Sequence, residues 1–179
     1  MNYHNITTDD MLNGSGLRTC LWCSGCSHYC YKCQNPQTWS VNSGIPFDEK
    51  AEKELFEKLS KDYISGITFT GGDPLNTNNL SEVLRLCKKF RTLFGNSKNI
   101  WIYTGYTWDD ILHESTTSDS KLEHDMRKQI IELSDVLVDG KFDEDFLSVE
   151  YPWAGSTNQR IIDIQKSLSS NNIVEWKCE

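Results

Sequence analysis

No hydrophobic stretch in this sequence is long enough to span a bilayer. The N-terminus, Met1-Asn-Tyr-His-Asn-Ile6, lacks the basic and apolar regions of a secretory signal. No run of lysine or arginine exceeds two residues, and the formal net charge is -8. The pattern therefore offers no phosphate-tracking surface, and nucleic acid and membranes are not expected partners. There is no internal repeat and no low-complexity tract. These absences lead to the expectation of a cytoplasmic protein, in a reducing compartment where cysteines serve metals rather than disulfides. With 179 residues, 37% hydrophobic and 25% charged, the chain suits a single domain over 1–179 with a genuine core.

What is present in quantity is cysteine in one place. Five of the seven cysteines lie in the stretch from Cys20 to Cys33. Thiolates this close repel one another and oxidise, so such a stretch points to metal. Three spacings compete for it. Cys20, Cys23, Cys26 and Cys30 reproduce the bacterial ferredoxin run, although Tyr31 stands where a proline usually follows the fourth cysteine. Leu17 to Trp22 reads as a strand, and Cys20 and Cys23, three apart on a strand, would point to opposite faces. Cys20/Cys23 paired with Cys30/Cys33 would make zinc knuckles, but these sit much closer together than the roughly 15 to 20 residues of a zinc ribbon. The third spacing is Cys26-x-x-x-Cys30-x-x-Cys33, three thiolates on one loop. Three ligands on a four-iron cube leave one iron open, which makes it a place for chemistry as well as electron storage.

The rest of the chain alternates strand with helix. Strands are expected at Leu17 to Trp22, Gly66 to Thr70, Asn99 to Thr104, Asp135 to Asp139, Arg160 to Asp163 and Ile173 to Trp176. A helix capped by Asp48 is expected to carry Ala51, Leu55, Phe56, Leu59 and Tyr63 inward. The next starts at Asn78 or Asn79, with Leu80, Val83, Leu84, Cys87, Phe90 and Phe94 on its inner side. A short helix follows Thr107, His113 to Asp125 reads as a polar insertion, and Ile130, Ile131 and Leu133 lie in a further helix. The expected fold class is α/β: about six mainly parallel strands curved into an incomplete, TIM-like βα barrel, with ligands at the carboxyl ends of the strands. The cysteine loop, 23–35, and the glycine turns at Gly71-Gly72 and Gly105 fall on that rim.

The three-cysteine motif is preceded by Gly16-Leu-Arg-Thr-x-Leu-Trp22 and followed by Asn35-Pro-x-Thr-Trp39. In this setting it resembles the radical S-adenosylmethionine enzymes. Thr70-Gly-Gly-Asp-Pro74, Tyr103-Thr-Gly-Tyr106, Val138-Asp-Gly-Lys-Phe142 and Gly155-Ser-Thr-Asn-Gln-Arg160 extend the resemblance to one branch, the activating proteins of anaerobic ribonucleoside-triphosphate reductase. The resemblance implies a [4Fe-4S] cluster on Cys26, Cys30 and Cys33 whose fourth iron is chelated by S-adenosylmethionine. One electron cleaves the sulfonium, and the 5'-deoxyadenosyl radical takes a hydrogen from a glycine of the reductase large subunit. A flavodoxin or ferredoxin type donor is implied as a second partner. A chain this short has little room to enclose a small substrate, which suits a loop of another protein.

The same resemblance assigns the cofactor to Gly71, Gly72 and Asp73, and to the chain at Lys32, Cys33 and Gln34. A methyl group at Gly72 is expected to occupy the space of the methionine moiety and leave the cluster assembled. Asp73 either fixes its turn or accepts a bond from the methionine amino group. Lys32 stands where the wider family often has an aromatic residue. Read from the residues alone, the glycine pair is a turn, Tyr103 and Tyr106 are rim packing, and Asp139 and Lys141 close a strand or face a partner. His28 is expected as a solvated loop residue, Cys87 as a small core side chain, Cys178 as a free thiol, and Cys20 and Cys23 as buried. The alternatives are an activase of another glycyl radical enzyme, such as a formate-lyase type, and a ferredoxin-like electron carrier or zinc-bound interaction module.

Overall fold

The computed structural model describes residues 1–113 and 120–177. In chain order its elements are β1 (Asn2–Asp10), β2 (Arg18–Cys23), β3 (Ile45–Pro46), α1 (Glu49–Leu59), β4 (Gly66–Gly71), α2 (Leu80–Phe94) and β5 (Asn99–Tyr103). They continue with α3 (Trp108–Leu112), α4 (Lys121–Glu132), β6 (Val136–Asp139), β7 (Arg160–Asp163) and α5 (Ile164–Ser170). The strands form one sheet in the order β3-β1-β2-β4-β5-β6-β7. The central strands β2, β4, β5 and β6 are parallel, while β1 pairs antiparallel with both β2 and β3 on one side and β7 pairs antiparallel with β6 on the other.

The α/β class is as expected, but the sheet is mixed rather than mainly parallel. Strand β1 went unread because it carries only two buried side chains, Tyr3 and Ile6, beside a run of polar residues. At the other end, Ile173 to Trp176 does not make a full strand. It reaches β7 through an isolated bridge between Ile162 and Glu175, with Trp176 N–H donating to the Ile161 carbonyl at 2.8 Å.

Alternation along the central strands divides the molecule into two faces. Leu21, Cys23, Ile67, Phe69, Ile100, Ile102, Leu137 and Ile162 point to the helices and meet Leu55, Leu59, Val83, Phe90, Ile130 and Ile131. The intervening residues point the other way. There Trp101, Val136, Val138 and Ile161 pack with Tyr103, Tyr151, Trp153 and Trp176. Trp101, Trp153 and Trp176 meet edge to face, with centroids 5.0 to 5.8 Å apart. This face also holds Arg18, fully buried, which donates to Thr68 Oγ1 (2.7 Å), Asn99 Oδ1 (2.6 Å) and the Ile67 and Ser15 carbonyls. Burial lowers its pKa to about 10.

Helix starts follow their capping residues. Asp48 accepts from Ala51 N–H at 2.9 Å, and Thr107 and Ser120 each form a reciprocal capping box. α1 ends at Leu59, earlier than the apolar spacing implies, and leaves Tyr63 exposed on the following turn. α4 begins at Lys121, inside the segment expected as a polar insertion; the rest of that insertion from 114 to 119, like Cys178, lies outside the described residues. No helix of the described residues is long and apolar enough to cross a membrane.

Candidate functional site

The parallel register brings the carboxyl ends of the central strands to one rim. Cys23 pairs with Gly71, Phe69 with Ile102, and Tyr103 with Val138. The chain after each strand folds over that rim around a cavity of about 590 Å³, whose wall includes Cys26, Cys30, Cys33, Gln34, Gly71, Gly72 and Asp73. The sequence-selected residues are thus brought together, with one exception. Lys32 is absent from the wall; its side chain is 59% exposed and pairs with Glu144.

The cysteine loop is held by backbone bonds to its neighbours. Gly25 and Cys26 donate to the carbonyls of Thr38 and Trp39 at 2.7 and 2.9 Å, and Asp73 N–H donates to Gly25 at 2.7 Å. Asn79 Nδ2 ties Ser24 to Asp73 through their carbonyls, at 2.8 Å each. Tyr29 and Lys32, each directly before a motif cysteine, have φ of 48° and 53°. Two left-handed residues curl the loop into a tight arc, at a cost of order 1 kcal/mol each.

Cys33 Sγ accepts from Asn35 N–H at 3.4 Å. The backbone N–H groups of His28 and Tyr29 near Cys26, and of Phe142 near Cys30, act on those sulfurs in the direction that favours the thiolate. Such donors stabilise thiolates and tune iron-sulfur centres, so the residues present fit a cluster. Burial, then the nearby Asp73 carboxylate, pushes the Cys26 thiol up to about 11, and burial also raises Cys30. These sulfurs are therefore protonated until metal displaces the proton. Among the described residues no group of three His, Cys, Asp or Glu converges on one metal ion; the three cysteines stand apart on the cavity wall.

The ferredoxin run finds no support in the geometry. Cys20 and Cys23 are fully buried within β2 and do not line the cavity. Cys23 belongs to the helix-side core, whereas Cys20 lies on the opposite face beside Thr7 and Thr68. Cys87 is a buried core residue of α2, as expected.

The glycine turn faces a different way from the one expected. A Cβ on Gly72 would meet the carbonyl oxygens of Gly25 (2.6 Å), Thr38 (3.0 Å) and Cys23 (3.1 Å), so it points into the cluster loop's backbone rather than into cofactor space. Gly71 has φ +96°, and its Cβ would meet the Cys23 backbone. The pair lets β4 close onto the start of the cysteine loop.

Asp73 is the hub of the rim. Its carboxylate accepts from Leu75 N–H (2.8 Å), Thr104 Oγ1 (2.9 Å), Gly105 N–H (3.0 Å) and His28 Nε2 (2.7 Å). His28 is consequently not a solvated loop residue: its side chain is 9% exposed and its ring meets Tyr106 edge-on at 4.7 Å. His28 and Thr104 are the members of the site that the sequence reading missed. The available signal was the histidine's place inside the three-cysteine motif.

A family described as a 4Fe-4S single cluster domain matches residues 12–162. Among curated relatives, the anaerobic ribonucleoside-triphosphate reductase-activating protein of Escherichia coli K12 is 38% identical over 161 residues, covering 89% of this chain and 96% of its own. The protein of that name from Pasteurella multocida is 37% identical, covering 90% and 96%. That from enterobacteria phage T4 is 37% identical and covers 99% of both chains. With Cys26, Cys30 and Cys33 on the wall of one cavity and these relatives matched along nearly their whole length, the chain belongs to the 4Fe-4S single cluster domain family and to its anaerobic ribonucleoside-triphosphate reductase-activating proteins.

Proposed function

We propose that the chain is a radical S-adenosylmethionine enzyme that activates anaerobic ribonucleoside-triphosphate reductase by generating a glycyl radical on it. The observation that carries this reading is that Cys26, Cys30 and Cys33 line one cavity beside the Gly71-Gly72 turn, with Cys33 Sγ accepting from Asn35 N–H. A cluster bound there would supply one electron to the sulfonium of S-adenosylmethionine, whose C–S bond would break to give methionine and a 5'-deoxyadenosyl radical able to take a hydrogen atom from a reductase glycine.

The chain's own residues do the rest. Cys26, Cys30 and Cys33 hold the cluster, and the Asn35 N–H on the Cys33 sulfur offsets part of its negative charge. Gly71, Gly72, Asp73, Cys33 and Gln34 border the place of the cofactor. Asp73 already has four donors, which favours the fixing of its turn over a bond to the methionine amine. Trp22, Trp39, Tyr103 and Phe142 add aromatic wall that excludes water. At the mouth, Leu12 and Val149 are 82% and 95% exposed, an apolar rim that suits a loop of another protein.

The reading takes 1–179 as one domain with its cluster loop at 23–35, and the sheet as the incomplete barrel of this superfamily. It places the protein in the cytoplasm, with a flavodoxin or ferredoxin type electron donor. The test is anaerobic electron paramagnetic resonance on the reduced protein mixed with S-adenosylmethionine and reductase. A doublet that loses its α-hydrogen splitting with α-deuterated glycine is the expected result. Cofactor cleavage with a radical only on another glycyl radical enzyme would change the partner; no cleavage would return the chain to electron transfer.

A further inference from the structure

The three rim loops meet at His28. The residue sits between Cys26 and Cys30, yet its Nε2 reaches Asp73 Oδ2, 45 residues away, at 2.7 Å. A carboxylate has no proton to give, so Nε2 is the protonated nitrogen and the imidazole is the donor. Asp73 directly follows the Gly71-Gly72 turn and also accepts from Thr104 Oγ1 and Gly105 N–H on the third loop. The imidazole fills the space a Cβ on Gly105 would need, with its carbon and nitrogen atoms inside contact distance of that position. Tyr106 closes the other side edge-on, and Arg127 lies over the Tyr106 ring at 4.5 Å and donates to its hydroxyl at 3.2 Å. The histidine side chain thus has one position, fixed by a bond, a missing side chain and an aromatic edge.

We propose that His28 is a positioning residue that sets the Cys26–Cys30 arc relative to the Gly71-Gly72 turn, and so registers the cluster against the cofactor. The proposal rests on the function proposed above. Without the bond to Asp73, the cysteine loop keeps its backbone ties at Gly25 and Cys26 and all three motif sulfurs, so a cluster still assembles. What is lost is the fixed offset between arc and turn. Charge-assisted bonds of this kind, and outer-shell partners of metal ligands, are worth about tenfold or more in affinity.

The experiment compares wild type, His28→Ala and His28→Gln as full-length protein after anaerobic reconstitution. Three quantities are read: iron and sulfide content, the dissociation constant of S-adenosylmethionine, and the resonance spectrum of the dithionite-reduced cluster with and without S-adenosylmethionine. His28→Ala is expected to keep its iron, bind S-adenosylmethionine about tenfold more weakly and lose the spectral change the cofactor induces. The Gln side chain can donate to Asp73 and is expected to restore much of that change. Gly105→Ala, which evicts the imidazole without altering it, is expected to behave as His28→Ala does. A His28→Ala protein with unchanged affinity and spectral response overturns the positioning role alone. So does loss of iron in His28→Ala that His28→Gln fails to rescue, since the loop then needs the ring for folding. A wild-type cluster that gives no response to S-adenosylmethionine overturns the proposed function and this role together.

Discussion

At the scale of single residues, the rim is built from groups whose first duty is to one another. Gly72→Ala would drive a methyl group against three carbonyl oxygens of the cluster loop and its support, a clash with backbone that costs about 1–3 kcal/mol or more. Iron retention and S-adenosylmethionine binding should therefore fall together in this variant. Full iron with weakened cofactor binding alone would instead place the methyl in cofactor space. Gly95→Ala is the control, since its Cβ meets nothing within 4 Å and only its φ of 53° is penalised. Proton competition gives a second residue-scale prediction. With the Cys26 thiol at about 11, that ligand must lose a proton before it can bind iron, so apparent iron affinity should rise with pH below that value. Anaerobic competition against a chelator at about pH 7, 8 and 9 should show the rise; a flat profile would mean that Cys26 is not a ligand.

At the scale of elements, α1 and α2 are joined on their outer side by Glu52, which accepts from Arg85 and Lys89. The Arg85 bonds come first among the causes that bring the Glu52 carboxyl down to about 2. A depressed folded pKa means stabilisation that is complete above the unfolded value, roughly 4.5, and lost as pH falls toward 2. Glu52→Gln should lower Tm by a few degrees at neutral pH, and the difference from wild type should vanish near pH 2 in parallel thermal scans. A difference that persists in acid would trace the loss to packing. Much of this level was legible beforehand. The run Ile67-Thr-Phe-Thr70 has β-branched residues and a glycine stop, and Asp48 opens a clear apolar helical period, so β4 and α1 were found close to their bounds. β1 was not, because its partner β2 supplies most of the apolar contact while β1 contributes polar residues and two buried side chains.

At the scale of the whole molecule, helices cover one face of the sheet, and the chain around Tyr151 and Trp153 with the C-terminal Trp176 packs on the other. Trp176 is half-buried against Trp101 and Trp153. Trp176→Ala should cost about 2 kcal/mol of apolar burial and lower Tm by about 4–8 °C, with loss of near-ultraviolet dichroism from the tryptophan cluster. An unchanged Tm would show that the second face closes without it. Spacing narrowed the cysteines to three competing readings, and the resemblance, rather than any local pattern, chose Cys26, Cys30 and Cys33; the glycine pair was legible as a turn. The bond from His28 to Asp73 was not legible, because it depends on the parallel register that sets β2 beside β4, and no local pattern records register.

One carboxylate shared by three loops also constrains how such a protein changes over time. Leu75 and Gly105 present main-chain donors that no substitution at those positions removes, short of proline. A lineage that loses Asp73 therefore strands buried amides along with His28 and Thr104, and no single compensating change can satisfy them all. Descendants should keep the acid, or replace the histidine, the threonine and the acid as a set. Length changes are permitted only in those stretches of chain that owe nothing to this junction.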